Sequence, residues 1–319
     1  MGILFSVPEV RGVVKWVVHR VTTKCEIERL LSDDQVSSDM TLRVAQSIGQ
    51  SRSLPRDIVL IVVQRQTGFM PEAVAGRIAE CKGIGRDRVL VRANLRLCMC
   101  VLLAAHNTIA HISRLQKEEF CEANPEHLRM LAALWVNLFP DKRRTSNDVV
   151  SDDWMELGFQ SKNPISDLRG GGMLGLHQLV AFSEMYPEKA RALLTESVNP
   201  RRYFPFAATG INVTAFVLDL INEGRVTARL FSAHQVSGMG EDDAGEEDRR
   251  GLRAVASVYA EQYLAFGEEW VRKDPFDLGV MAFPGIFDTV KKAGRAQMPR
   301  LLPPNLRVQE GLGKVNPVS

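Results

Sequence analysis

The chain has 319 residues, 45% of them apolar, with a mean hydropathy near zero and a formal charge of +2. That length carries one large domain or two small ones, and the balance describes an ordinary soluble globule. So small a net charge argues against a dedicated nucleic-acid binder, which needs a basic face. The five cysteines, Cys25, Cys81, Cys98, Cys100 and Cys121, form no CxxC pair, which predicts a reduced, cytoplasmic setting and no zinc site.

The N-terminus reads M-G-x-x-x-S, with Gly2 and Ser6 in the positions of the short myristoylation pattern. Arg11, Lys15 and Arg20 interrupt the apolar run behind it, well short of the roughly 18 to 20 residues that a spanning helix needs. Val10, Val13, Val14, Val17, Val18 and Val21 make a helical stripe, so residues 1–30 are expected to form an amphipathic helix. Its two open roles are packing on the protein's own body and contact with the cytoplasmic face of an endomembrane, reinforced by Gly2 lipidation. Residues 32–53 are polar and read as a loop with short helical pieces. The run "IVLIVVQ" from Ile58 to Gln64 resembles a strand but has no second run to pair with, which leaves helix or an isolated extended segment. Pro71 then opens a helix.

Further along, "NLRLCMCVLLAAHNTIAHISRL" predicts a long buried helix. "NPEHLRMLAALWVNLFP" predicts another, started by Asn124 and Pro125 and stopped before Pro140. His106 and His111 lie five apart, on different faces, and read as histidines at the edge of the core rather than ligands. "LGLHQLVAFSEM" and "PEKARALLTES" form a helix pair broken at Pro187, and "NVTAFVLDLINEG" ends at Gly224. "SGMGEDDAGEEDRR" packs six acids into Glu241–Asp248 and reads as a solvated loop, since its glycines and alanine fall where calcium ligands would be needed. Leu252, Val255, Tyr259, Tyr263, Phe266 and Trp270 recur at helical steps up to Asp274-Pro275. The tail from Met298, rich in Pro and Gly, is expected to be disordered.

The chemistry-bearing stretch is "DWMELGFQSKNPISDLRGGGMLGL", where Arg169 precedes three glycines, Gly170, Gly171 and Gly172. Two roles are open for that arginine: a buried pair with Asp167, or presentation on a pliant loop to a partner's phosphate. Because the chain has no GxxxxGK[ST], HExxH or GxSxG motif, a nucleotide would have to arrive on the partner, and neither a cofactor nor a metal is expected.

Trp154, Gly158, Phe159, Gln160, Pro164, Asp167, Arg169, Gly170, Gly172, Leu174, Gly175, Leu176, Leu179 and Phe182 keep the spacing of one long signature. It is W-x3-G-F-Q-x3-P-x-T-D-F-R-G-x-G-x-L-G-L-x2-L-x2-F, and it resembles the ELMO-domain (engulfment and cell motility) family. Ser166 stands in place of Thr and Leu168 in place of Phe. "FPFAATGINVTAFVLDLI" resembles a second family block, with Phe204 for Tyr, and both ends of the chain resemble the single-domain ELMOD branch.

The resemblance implies an all-α, irregular helical domain over 120–295, with a helical region at 31–119, the N-terminal helix at 1–30 and a tail at 296–319. It further implies a GTPase-activating protein for Arf and Arf-like GTPases, with Arg169 as the catalytic arginine supplied in trans. The larger engulfment scaffolds, which hold a guanine-nucleotide exchange factor, lack that arginine and supply the alternative, non-catalytic reading. Arginine suits the first role because its planar fork stays charged and matches phosphate oxygens. Gly170 and Gly172 are expected to let the loop approach a nucleotide, and Asp167 to fix its approach. Gln160 would orient water or pack as an amide, while Trp154, Phe159, Leu174 and Leu176 would be core.

Overall fold

The computed structural model describes residues 24–33, 35–235 and 244–300. The segment carrying Gly2, Ser6 and the valine stripe, and the tail from 301, lie outside the described residues. Among those residues the structure is 70% helical with no strand, so the all-α expectation holds.

The contacts divide the chain into two compact units. The first contains α1 (Glu26–Leu30), α2 (Ser38–Gly49), α3 (Arg56–Val63), α4 (Pro71–Cys81) and the beginning of α5 (Val89–Lys117), up to Asn107. α2, twelve residues long, lies in the stretch read as a loop with short helical pieces. Its polar composition hides an apolar face, in which Met40, Val44, Ala45 and Ile48 recur at three and four residues and are buried, and the Ser37 hydroxyl caps its start by accepting from Met40 N at 3.0 Å. The strand-like "IVLIVVQ" is the helix α3: Ile58, Val62 and Val63 bury one stripe, so tertiary burial overrides the weak helix propensity of valine. Asn94 ties the unit together, its Nδ2 donating to the carbonyls of Leu31 at 3.1 Å and Asp33 at 2.8 Å.

His106 is buried in this unit, with its Nδ1 3.0 Å from the Gln66 carbonyl and its ring edge against Phe69. Since a carbonyl can only accept, Nδ1 carries a proton. Burial pushes the imidazole down to about 4; the bond to Gln66 opposes the shift and the Arg65 charge adds to it.

The second unit contains the end of α5 from Thr108, then α6 (Pro125–Leu138), α7 (Asp153–Glu156), α8 (Ile165–Leu168), α9 (Gly172–Met185), α10 (Pro187–Ser197) and α11 (Phe206–Asn222). The start of α12 (Thr227–Gln235), α13 (Ala244–Lys273), a 3-10 turn (Gly279–Ala282) and α14 (Phe283–Gln297) complete it. α9 is its axis: apolar nearly all round, it packs against α6, α10, α11 and α13. The aromatic stripe of α13 meets it there, with Tyr259 and Tyr263 against Phe182, while Trp270 and Phe266 enclose Phe204. Asn124 caps α6 and Gly224 closes α11 with φ +71°, both as its sequence implies.

Two expectations are corrected. Residues 244–250 of the acidic stretch are the opening turns of α13, not a loop; acids are favoured at a helix N-terminus, and Asp248 Oδ2 lies 3.2 Å from His111 Nδ1. The start of the expected disordered tail is ordered too: α14 runs to Gln297, Met298 is buried, and Arg225 Nη1 donates to the carbonyls of Arg295 and Met298 at 2.7 Å.

A neutral buried His106 makes stability pH-dependent with a fixed sign. Its folded value is depressed, so its contribution is complete above the free imidazole value of 6.5 and is lost as pH falls toward 4. Urea unfolding should show a loss of about 3 kcal/mol across that window, and His106→Gln should remove that slope.

Candidate functional site

The site grows from the turn after α7. Trp154 is fully buried, donates from Nε1 to the Val149 carbonyl at 2.7 Å, and is covered by the Arg144 guanidinium 4.1 Å from its ring centre. Its edges meet Trp135 and Phe159. Asp153 beside it, not singled out from sequence, accepts from Thr145 N at 2.9 Å and Thr145 Oγ1 at 2.8 Å. Trp154, Phe159, Leu174 and Leu176 are therefore core that holds the loop.

At Gly158 the backbone turns with φ +76°, and a Cβ there would stand 2.2 Å from Phe206 N. The close approach has a purpose. Pro205, the residue before α11, offers no capping side chain, and the first amides of that helix are satisfied by loop carbonyls instead: Ala207 N donates to Leu157 O at 2.9 Å and Ala208 N to Gly158 O at 3.2 Å. The two sequence blocks, around Gly158-Phe159-Gln160 and Phe204-Pro205-Phe206, are thus halves of one joint.

The next link is Asp167. Buried at the end of α8, it accepts from the backbone N–H of Gln160 at 2.7 Å and from Ser166 Oγ at 3.3 Å. Burial raises its carboxyl above the ordinary value, partly offset by those two bonds. Asp167 does not pair with Arg169 or fix its approach directly; it fixes the turn at Gln160. Gln160 is exposed, and its main-chain N–H makes the bond to Asp167.

Arg169 follows as the C-cap of α8, with φ −53° and ψ −31°. Its side chain is exposed, and its guanidinium has no hydrogen-bond or ion-pair partner among the described residues. The buried-pair reading is thereby overturned.

The glycines act differently from expectation. Gly172 is buried with φ +57°, and a Cβ would stand 2.2 Å from the Gln116 carbonyl oxygen. It seats the start of α9 against the end of α5, where Met173 N donates to Glu118 O at 2.8 Å. It is not free to approach a nucleotide. Gly170, beside Arg169, is half-exposed. The seat is itself braced: His127 Nδ1 accepts from Cys121 N at 3.0 Å, so its Nε2 carries the proton and donates to Glu118 Oε1 at 3.0 Å. A free guanidinium therefore stands between two anchors, the Asp167–Gln160 bond before it and the Gly172 seat after it. Among the described residues no cluster of His, Cys, Asp and Glu could hold a metal ion.

The ELMO/CED-12 family model matches residues 110–284, which hold every part of this site. ELMO domain-containing protein B of Dictyostelium discoideum is 35% identical over 216 residues, covering 66% of this chain and 74% of that protein. ELMO domain-containing protein 1 of Bos taurus is 25% identical over 323 residues, covering 94% and 92%. ELMO domain-containing protein 2 of Mus musculus is 27% identical over 219 residues, covering 69% and 73%. No solved structure matches significantly. The chain belongs to the ELMO/CED-12 family.

Gly172 and Gly171 separate seat from turn. Gly172→Ala, strained by its φ and by the Gln116 carbonyl, should cost about 3 kcal/mol or more in chemical denaturation. Gly171→Ala, at φ −117° with its nearest neighbour 3.7 Å away, should stay within about 1 kcal/mol.

Proposed function

We propose that the chain is a GTPase-activating protein for Arf-family small GTPases, with Arg169 supplied in trans to the partner's nucleotide. The observation that carries this reading is the unpartnered, exposed Arg169 on an otherwise anchored turn. A long cation normally ends in an ion pair or trails along the surface. Here it extends from a turn held by Asp167 before it and Gly172 after it.

Hydrolysis of GTP builds negative charge on the γ-phosphoryl group and the leaving oxygen, and a guanidinium brought against them stabilises that charge, typically by 10³ to 10⁵ in rate. The turn supplies orientation, and the partner supplies nucleotide, magnesium and water. The Asp167 carboxylate, already occupied by Gln160 and Ser166, is not available to neutralise the guanidinium.

The test is single-turnover hydrolysis by a panel of GTP-loaded Arf-family GTPases. Arg169→Ala and Arg169→Lys should each lower the stimulated rate by about 10³ or more while GTPase binding persists, because lysine lacks the fork. Full stimulation by both folded variants would remove the arginine from the mechanism and leave a non-catalytic binding module.

A further inference from the structure

Apolar side chains are left in solvent just after α13 ends. Leu278 is 65% and Met281 79% exposed, and Phe276 and Val280 are exposed beside them. A single exposed apolar residue is ordinary on a protein surface, but a run of them makes a patch, and such patches mark interaction sites.

The run is held in shape. Asp274 turns the chain with φ +43°, a conformation uncommon outside glycine, and is clamped there: Arg201 Nη2 lies 2.6 Å from its Oδ2 and Arg202 Nη1 3.5 Å from its Oδ1. The Arg201 guanidinium also stands 5.4 Å from the centre of the Phe276 ring. Beyond it, Gly279 N donates to Pro275 O at 2.7 Å and Met281 N to Leu278 O at 3.1 Å. Two arginines and these backbone bonds present the apolar side chains on a fixed turn.

Val280 and Met281 line a groove of about 580 Å³ together with Pro205 and Gln160. Gln160 is the residue whose N–H holds the arginine turn, 2.7 Å from Asp167 Oδ2, and both Gln160 and Arg169 are exposed. An aspartate side chain and two helical residues add about 9 Å at most, which puts Gln160 within about 12 Å of the Arg169 Cα. A specific interface takes about 800 Å² from each partner, a disc of about 16 Å radius. A partner whose nucleotide meets Arg169 therefore covers Gln160 and the groove that opens beside it.

We propose that this groove and its apolar turn dock the small GTPase. An apolar side chain of the GTPase fills the groove beside Gln160, Leu278, Val280 and Met281 pack on its surface, and Arg169 reaches its nucleotide. The inference takes its partner from the GTPase-activating reading and adds a contact that supplies affinity rather than rate. Apolar anchors seated in pockets carry much of the binding energy of an interface. Such a contact is made equally in the ground and transition states, so it sets KM and leaves kcat alone. Asp277, exposed inside the run, would have to enter a membrane with its neighbours, whereas a protein partner leaves it in solvent.

Two measurements on the full chain separate the docking surface from the arginine. One is retention of Arf-family GTPases loaded with GTPγS; the other is single-turnover hydrolysis by the best-retained GTPase at rising chain concentration. Leu278→Asp and Met281→Asp should each weaken retention and raise the half-saturating concentration about 10-fold or more. The saturated rate should stay within about twofold, whereas Arg169→Ala should lower the rate and spare the retention. Met281→Leu should keep the affinity of the unaltered chain. Val89→Asp, the same change at a residue 72% exposed in the first unit, should alter nothing. Retention that Leu278→Asp and Met281→Asp lower, without stimulated hydrolysis by any GTPase, would keep the docking surface and remove the arginine's role. Retention and half-saturation that both variants leave unchanged would overturn the docking surface and leave the arginine's role standing. Retention of no Arf-family GTPase would overturn both. Variants that only dissociate a dimer of the chain, or only release it from phosphatidylserine vesicles, would also overturn the docking surface.

Discussion

Two carbonyls, those of Leu157 and Gly158, cap the helix Phe206–Asn222, and the rest of the second unit is arranged around that joint. The helix starts after a proline that cannot cap it with a side chain, inside the protein where water does not reach its first amides. Buried amides without acceptors are costly, so the loop must come to the helix, and it comes so close that only glycine fits at position 158. Once the loop is fixed there, Gln160 stands where its N–H meets the Asp167 carboxylate, and α8 is held by its own last turn. Arg169 is the next residue outward.

That chain of constraints accounts for an arginine on a rigid base beside flexible sequence. Of the three glycines that follow it, Gly172 serves packing. Orientation matters because a charge held in place stabilises a transition state without first losing conformational freedom. On the proposed reading, the energetic investment is made in folding, by α9, its aromatic surroundings and the braced seat at Glu118 and His127.

Much of the architecture was legible in the sequence. The long apolar runs, the Asn124-Pro125 start, the Gly224 stop and the stripe ending in Trp270 give helices with caps and periods that local chemistry determines. The errors share a cause. Residues 38–49 and 244–250 carry too many polar groups to look folded alone, and each forms a helix through a partner distant in sequence or a favourable terminus, Asp248 reaching His111 for example. The run at 58–64, read as helix or an isolated extended segment, is a helix that buries one stripe. At the site, the connections between residues were not readable. Asp167 looked like a partner for the neighbouring arginine and instead binds an amide seven residues away; Gly172 looked like loop flexibility and is a tight contact with residues 116–118. Contacts of this kind depend on where separate segments meet, which spacing alone does not encode.

The central claim is that Arg169 acts on transition-state charge rather than on binding. The most direct measurement is retention of Arf-family GTPases on the immobilised chain with GDP alone and with GDP plus aluminium fluoride, a mimic of the phosphoryl group in flight, since an interaction made only in the transition state strengthens only against such a mimic. The account predicts that aluminium fluoride raises retention of at least one GTPase and that Arg169→Ala abolishes the increase. Retention that is indifferent to aluminium fluoride, or an increase that survives in the folded Arg169→Ala variant, would contradict it.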